Sequence, residues 1–366
     1  MSEQAQGATA AYGTITGRMT AAVMTKPGEI ILEEQDIPQP AADEVLVKIM
    51  AVGVCGSDVH YYEHGRIGPY VVEKPLILGH ECAGVVVACG PEARRFQPGD
   101  RVAIEPGVTC GLCSYCKSGR YNLCPDVQFL ATPPVDGAFV QYITHREDFL
   151  FAIPDRVTYE EASMVEPLSV GIHALNRANF QPGGSVAIIG AGPVGLLAVS
   201  AAKAYGASRI IVSDLEEKRL QAALALGATD VVPGRAGDPA GAILALTGDL
   251  GVDLAIETAG HPVALKTALA VVRRGGKLSI VGLPPVDEVG LPIAEICDKE
   301  IDIFGIFRYT NTYEQAIRFL SAGAIDMMPM VTDHYPLEQA QDALERALTN
   351  KQGSLKVMVY PNGLPE

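Results

Sequence analysis

The chain has no run of basic residues: 28 lysine and arginine side chains are set against 43 acidic ones, a formal net charge of -15 at pH 7 over 366 residues. Such a field repels phosphate backbones and anionic membranes, which argues against nucleic acid or a membrane as partner. The start, MSEQAQGATAAYGTITGRMT, lacks the basic residues followed by an apolar run that mark a secretory signal, so residues 1–18 are expected to be a flexible tail. Internal repeats and low-complexity segments are missing too. From Ala178 to Ala202 no charge occurs, but QPGG and GAGPVG interrupt the apolar residues and predict strand, turn and helix instead of a membrane span. Without an export signal, the eight cysteines favour metal ligation over disulfides, and a cytoplasmic location is expected.

The length favours two domains. Up to about residue 165, short β-rich runs such as EVLVKIMAVGV, AGVVVACG and DRVAIEPG are separated by turns. Beyond it, the buried-type strands SVAIIG, RIIVSD, DLAIETAG and KLSIVG alternate with helical segments such as EEKRLQAALALG, which predicts a doubly wound parallel α/β sheet. Gly206 and Gly227 fall where helices end in a left-handed residue, and Pro262 falls at a first helical position. Two amphipathic helices, in NTYEQAIRFLSAG and LEQAQDALERALTN, and a last strand, LKVMVY, are expected after EIDIFGIF.

GAGPVG places Gly190, Gly192 and Gly195, with Pro193 and Val194 between them, directly after a strand and before a helix. In that context the glycines allow a tight turn, close approach of a pyrophosphate, and packing of helix on strand. Asp214, ending RIIVSD, can accept hydrogen bonds from both ribose hydroxyls, which selects NAD. A 2'-phosphate would meet Asp214, Glu216 and Glu217 at a cost on the order of 1 to 4 kcal/mol, a penalty that Lys218 and Arg219 weaken without reversing. The plainer alternative is a glycine-rich turn with an aspartate capping the next helix.

Cys110, Cys113, Cys116 and Cys124 form C-x2-C-x2-C-x7-C, a loop able to wrap four thiolates around one zinc. Such a set has no open position for substrate, so it reads as a stabilising staple; unmetallated buried thiols or disulfides are the alternative. A reactive metal would need other ligands. Cys55 in GVCGSDVHYYEHGRIG and the pair His80–Glu81 in LILGHECAG are the candidates, although alone a buried cysteine is ordinarily core and a His–Glu pair ordinarily a loop pair.

CGSD, GHE after a glycine-rich turn, the four-cysteine lobe and GAGPVG follow one another as in the zinc-dependent medium-chain dehydrogenases, and the resemblance spans nearly the whole chain. HYYEHGRIGPYVVEKPLILGHE, VEPLSVGIHA and GIFRYTNTY most resemble the sorbitol and xylitol dehydrogenase group. The resemblance implies a Rossmann-type NAD-binding domain at 167–307 and a β-rich GroES-like catalytic domain at 19–166 and 308–366, with a zinc lobe at 106–126. It also implies two zincs per subunit, a homotetramer formed through the edge strand in EIDIFGIF, and transfer of hydride from C2 of a sugar alcohol to NAD, giving a ketose.

On the same ground Cys55, His80 and Glu81 would surround the catalytic zinc, with Glu166 holding or replacing its water where many relatives have cysteine. Tyr61, Phe129 and Arg308 would line the substrate pocket, and Ser57 would accept the hydroxyl proton. Arg219 joins the glycine motif and Asp214 at the cofactor. From the residues alone Glu166 and Arg308 better suit a helix N-terminal acid and a solvated or interdomain ion pair, and Ser57 equally suits a capping serine. His60, His64 and Cys82 read as structural. A threonine or 2,3-butanediol dehydrogenase on the same scaffold, or a non-catalytic NAD-binding protein, is the competing reading.

Overall fold

The computed structural model describes residues 15–286, 288–349 and 353–365. Most of the expected tail, residues 1–14, lies outside them; Arg18 already opens the first strand, Arg18–Lys26, which pairs antiparallel with Glu29–Asp36.

A seven-stranded sheet forms the scaffold of the first half. Along it lie Leu150–Ala152, Arg101–Ile104, Glu81–Cys89, Glu44–Gly53, Lys356–Tyr360 and Val331–Pro336, with Tyr142–Arg146 also paired to Glu44–Gly53. The last strand of the chain thus returns to the centre of the first sheet, where Val359 opposes Val52. Lys356–Tyr360 is buried along its whole length, as a central strand covered on both faces must be.

Residues 185–305 carry a six-stranded, wholly parallel sheet. Its spatial order is Asp230–Pro233, Arg209–Asp214, Ser185–Ile189, Val252–Glu257, Val272–Ile280 and Asp302–Gly305. In chain order this reads 3-2-1-4-5-6, the doubly wound arrangement, with its switch point beside Ser185–Ile189. The charge-free stretch resolves into that strand and the helix Pro193–Ala204. Gly206 and Gly227 are left-handed, with φ of 77° and 117°, and Pro262 opens its helix.

The helix Tyr313–Ser321 buries Tyr313, Ala316, Ile317 and Leu320, one stripe at helical spacing, in the same apolar cluster as Leu168, Leu196 and Val212. Each large apolar side chain so buried contributes about 1.5–3 kcal/mol. Among the described residues no helix is long and apolar enough to cross a membrane.

Candidate active site and metal centres

The four-cysteine lobe is built around a short helix, Ser114–Lys117. Sγ of Cys113 lies 3.5 Å from that of Cys116, and Cys124 lies 3.5 Å and Cys116 3.9 Å from Cys110. All four are free thiols. A tetrahedron with Zn–S bonds of about 2.3 Å has corners about 3.8 Å apart, so these sulfurs match a zinc cage, whereas a disulfide needs about 2.05 Å. The amides of Leu112 and Cys113 each donate to Cys110 Sγ at 3.4 Å, which brings that thiol down to about 7 and favours the thiolate a metal needs.

Cys55, His80 and Glu81 come together by strand register. Glu44–Gly53 pairs antiparallel with Glu81–Cys89, Gly53 opposite Glu81, so the residues just past one strand meet those opening the other. Their ligand atoms lie within 4.8 Å of one another. Asp58, from the same CGSD segment, is fully buried; it accepts the amides of Cys55 and Gly79 at 2.9 Å and stands 3.5 Å from His80 Nδ1. That arrangement fixes the imidazole and leaves Nε2 for a metal. Burial opposes charge on His80, but the fields of Asp58 and Cys55 outweigh it and hold its pKa well above the ordinary histidine value. Glu81 is ion-paired with Lys356, a fully buried lysine that also donates to the Val54 carbonyl at 3.0 Å. A soft sulfur, an imidazole and a carboxylate form a zinc-type donor set.

Glu166 stands in the first turn of the helix Val165–Arg177, buried, and its Oε1 accepts the Tyr309 hydroxyl at 2.8 Å. Burial pushes its pKa up to about 7, against the pull of His80 and with the push of Glu81. It is not one of the three clustered ligands, though it is near enough to His80 and Glu81 to feel their charge. The Phe129 ring lies 5.7 Å from that of His80, and the Arg308 guanidinium lies 4.0 Å above Phe129. Arg308 Nη1 is buried with no hydrogen-bond partner. Tyr70, Phe129, Phe307 and Arg308 help line a cavity of about 460 Å³.

Tyr61 packs in the core of the first half, its hydroxyl pushed up to about 12 by burial. The helix Gly56–His64 is closed at its start by Asp58 reaching back to the Cys55 amide, so Ser57 is not its cap. His60 and His64 lie together on the exposed side of that helix, ring centroids 4.6 Å apart, and the buried Cys82 is held protonated by desolvation.

At the nucleotide motif Gly190 has φ 105°, as the tight turn requires. A side chain on Gly195 would collide with the Gly190 carbonyl, while the space around Gly192 is open, which leaves its backbone approachable at the helix N-terminus where Pro193 and Val194 follow. Asp214 lies across this turn, accepting the Ala191 amide at 2.6 Å and the Glu216 amide at 2.9 Å. Nε of Arg219 is buried without a partner. Arg235, which the sequence reading did not single out, pairs with Glu216 at 2.6 Å and so cancels one of the acids set against a 2'-phosphate.

Asp58, Tyr309 and Lys356 were likewise not singled out. Asp58 and Tyr309 lie inside motifs already conspicuous; the one signal for Lys356 is a charge in the otherwise apolar LKVMVY.

Residues 41–155 match the model of the alcohol dehydrogenase GroES-like domain, and residues 193–322 that of the zinc-binding dehydrogenases. The chain is 61% identical to the sorbitol dehydrogenase of Bacillus subtilis (strain 168) over 349 residues, covering 95% of this chain and 99% of that protein. Among solved structures, an Escherichia coli oxidoreductase of unknown specificity superposes with a TM-score of 0.90 at 42% identity, covering 94% and 99% of the two chains. A zinc-binding dehydrogenase of Sinorhizobium meliloti 1021 bound to NADP gives 0.87 at 31%, covering 94% and 100%. The chain belongs to the zinc-dependent medium-chain dehydrogenases, in their sorbitol dehydrogenase group. It is an oxidoreductase whose cofactors are zinc and a nicotinamide dinucleotide.

Proposed function

We propose that the protein oxidises a sugar alcohol, sorbitol or xylitol or a near relative, at C2 with NAD as hydride acceptor, giving the ketose. One observation carries the reading: the unpartnered Arg308 Nη1, one aromatic ring away from the Cys55–His80–Glu81 cluster, offers a fixed donor to a further hydroxyl of a polyhydroxylated substrate.

Cys55, His80 and Glu81 would hold the catalytic ion, with Glu166 in reach directly or through water, and the four-cysteine lobe would hold the second. Zinc so held supplies Lewis acidity that lets a substrate hydroxyl lose its proton near neutral pH. Asp58 orients His80, Tyr309 orients Glu166, and Phe129 and Tyr61 shape the apolar wall. The glycine turn, Asp214 and Arg219 would hold the dinucleotide, which supplies the hydride acceptor. Ser57 Oγ receives the hydroxyl proton and passes it toward solvent. Ser57→Ala should lower kcat about tenfold or more with zinc content unchanged; equal turnover would remove the relay.

Initial rates on xylitol, sorbitol, threonine and 2,3-butanediol, each with NAD and NADP, test the substrate class. The expected order puts the polyols with NAD first, and a clear preference for threonine would overturn it. Zinc counted per chain should give two, one of which mild chelation removes together with the activity. A non-catalytic role would require a broken ligand set, and Cys55, His80, Glu81 and Glu166 are all present.

We assign residues 19–166 and 308–366 to the catalytic domain and 167–307 to the cofactor domain. Asp302–Gly305, the edge of the parallel sheet, exposes Ile303 and would be covered by a second copy in a homotetramer. A cytoplasmic location suits a lobe that needs reduced thiols.

A further inference from the structure

The zinc lobe is expected to stabilise and nothing more, yet its contacts run straight to the substrate side. The segment joining Asp302–Gly305 to the helix Tyr313–Ser321 carries Arg308 and Tyr309, and two of its non-glycine residues, Arg308 and Asn311, are left-handed with φ of 52° and 55°. Side chains disfavour that conformation, so the segment needs an outside support. The lobe supplies one. Asn122 Nδ2, nearly buried, donates to the Phe307 carbonyl at 2.8 Å, and the Asn311 amide donates to the Tyr121 hydroxyl at 2.9 Å. Thr310 Oγ1 and Asn311 Nδ2 both reach the Gly119 carbonyl, at 2.8 and 2.9 Å. Tyr121 in turn interacts with Glu105, a carboxyl buried just past the strand Arg101–Ile104.

We propose that Asn122 and Tyr121 are positioning residues for substrate: through the 307–311 segment they set where Arg308 meets a polyol hydroxyl and where Tyr309 holds Glu166. The lobe therefore bears on specificity as well as stability. This rests on reading Arg308 as a substrate contact, so the test includes a measurement that does not.

Asn122→Ala removes the bond to Phe307, and Tyr121→Phe, a milder change, removes the acceptor for Asn311. In the zinc- and NAD-loaded enzyme each should speed backbone amide exchange across residues 307–311, with amides 110–124 and zinc per chain unchanged. The KM for xylitol should rise about tenfold, with the KM for NAD little altered and any fall in kcat, through Tyr309 and Glu166, smaller than the rise in KM, and the preference for xylitol over 2,3-butanediol should shrink. Unchanged exchange at 307–311 in both variants overturns the proposal, as does faster exchange with the polyol KM and the preference intact. If the unaltered enzyme ignores polyols, the substrate reading falls and the exchange data alone decide whether the lobe holds the segment.

Discussion

Cys55→Ala should lower kcat for polyol oxidation by about three orders of magnitude, because losing the Lewis acid forfeits several kcal/mol of barrier and each 1.36 kcal/mol is tenfold. The fold should survive. Cys55 is partly buried at the start of a helix whose opening amide is satisfied by Asp58, and that bond is kept when the thiol is removed. Zinc should fall from two to one per chain, the remaining ion belonging to the lobe, and binding of NAD should be unchanged because the glycine turn lies on the other sheet. Rates equal to those of the unaltered enzyme, with one zinc missing, would refute both the site and the proposed function.

Lys356→Met carries the largest expected effect on stability. Lys356 is fully buried, pairs with Glu81 and donates to the Val54 carbonyl, and Glu81 is 1% exposed. Methionine is unbranched and nearly as long as lysine but brings no charge, which leaves a carboxylate in the interior facing an apolar group. Breaking one side of a buried pair costs about 3–5 kcal/mol, and the melting temperature of the zinc-stripped protein should fall on the order of 10 °C. The loss should be smaller with zinc bound, since a cation at the cluster supplies Glu81 with another partner. A melting temperature within about 2 °C of the unaltered protein in the stripped state would show that Glu81 does not depend on the lysine. The same substitution should loosen zinc at the catalytic site and leave the lobe loaded, because the two sets of ligands share no residue.

These two substitutions differ in how far they were legible. Cys55 stands out in a short motif, and the resemblance to zinc dehydrogenases makes it a candidate ligand instead of a plain core thiol. Lys356 does not stand out, because its partners Val54 and Glu81 lie far away along the chain, the first 302 residues off. Only the return of the last strand to Glu44–Gly53 brings them together. Tyr309 is a similar case: it stands inside GIFRYTNTY, but its bond to Glu166 spans 143 residues.

The amino-acid order alone settled the features whose physics is local. Four thiols within one loop can close on a metal without help from the rest of the chain, and a glycine turn between strand and helix needs no distant partner to cradle a phosphate. Strand-helix alternation likewise announced the parallel sheet, since periodicity is written residue by residue. Folding decided the rest: the triad assembled by antiparallel register, the lysine beneath Glu81, the unsatisfied guanidinium of Arg308, and the lobe braced against the segment that bears it. Each of these is a contact between distant stretches, and its energy depends on burial and geometry that exist only once the sheets have closed.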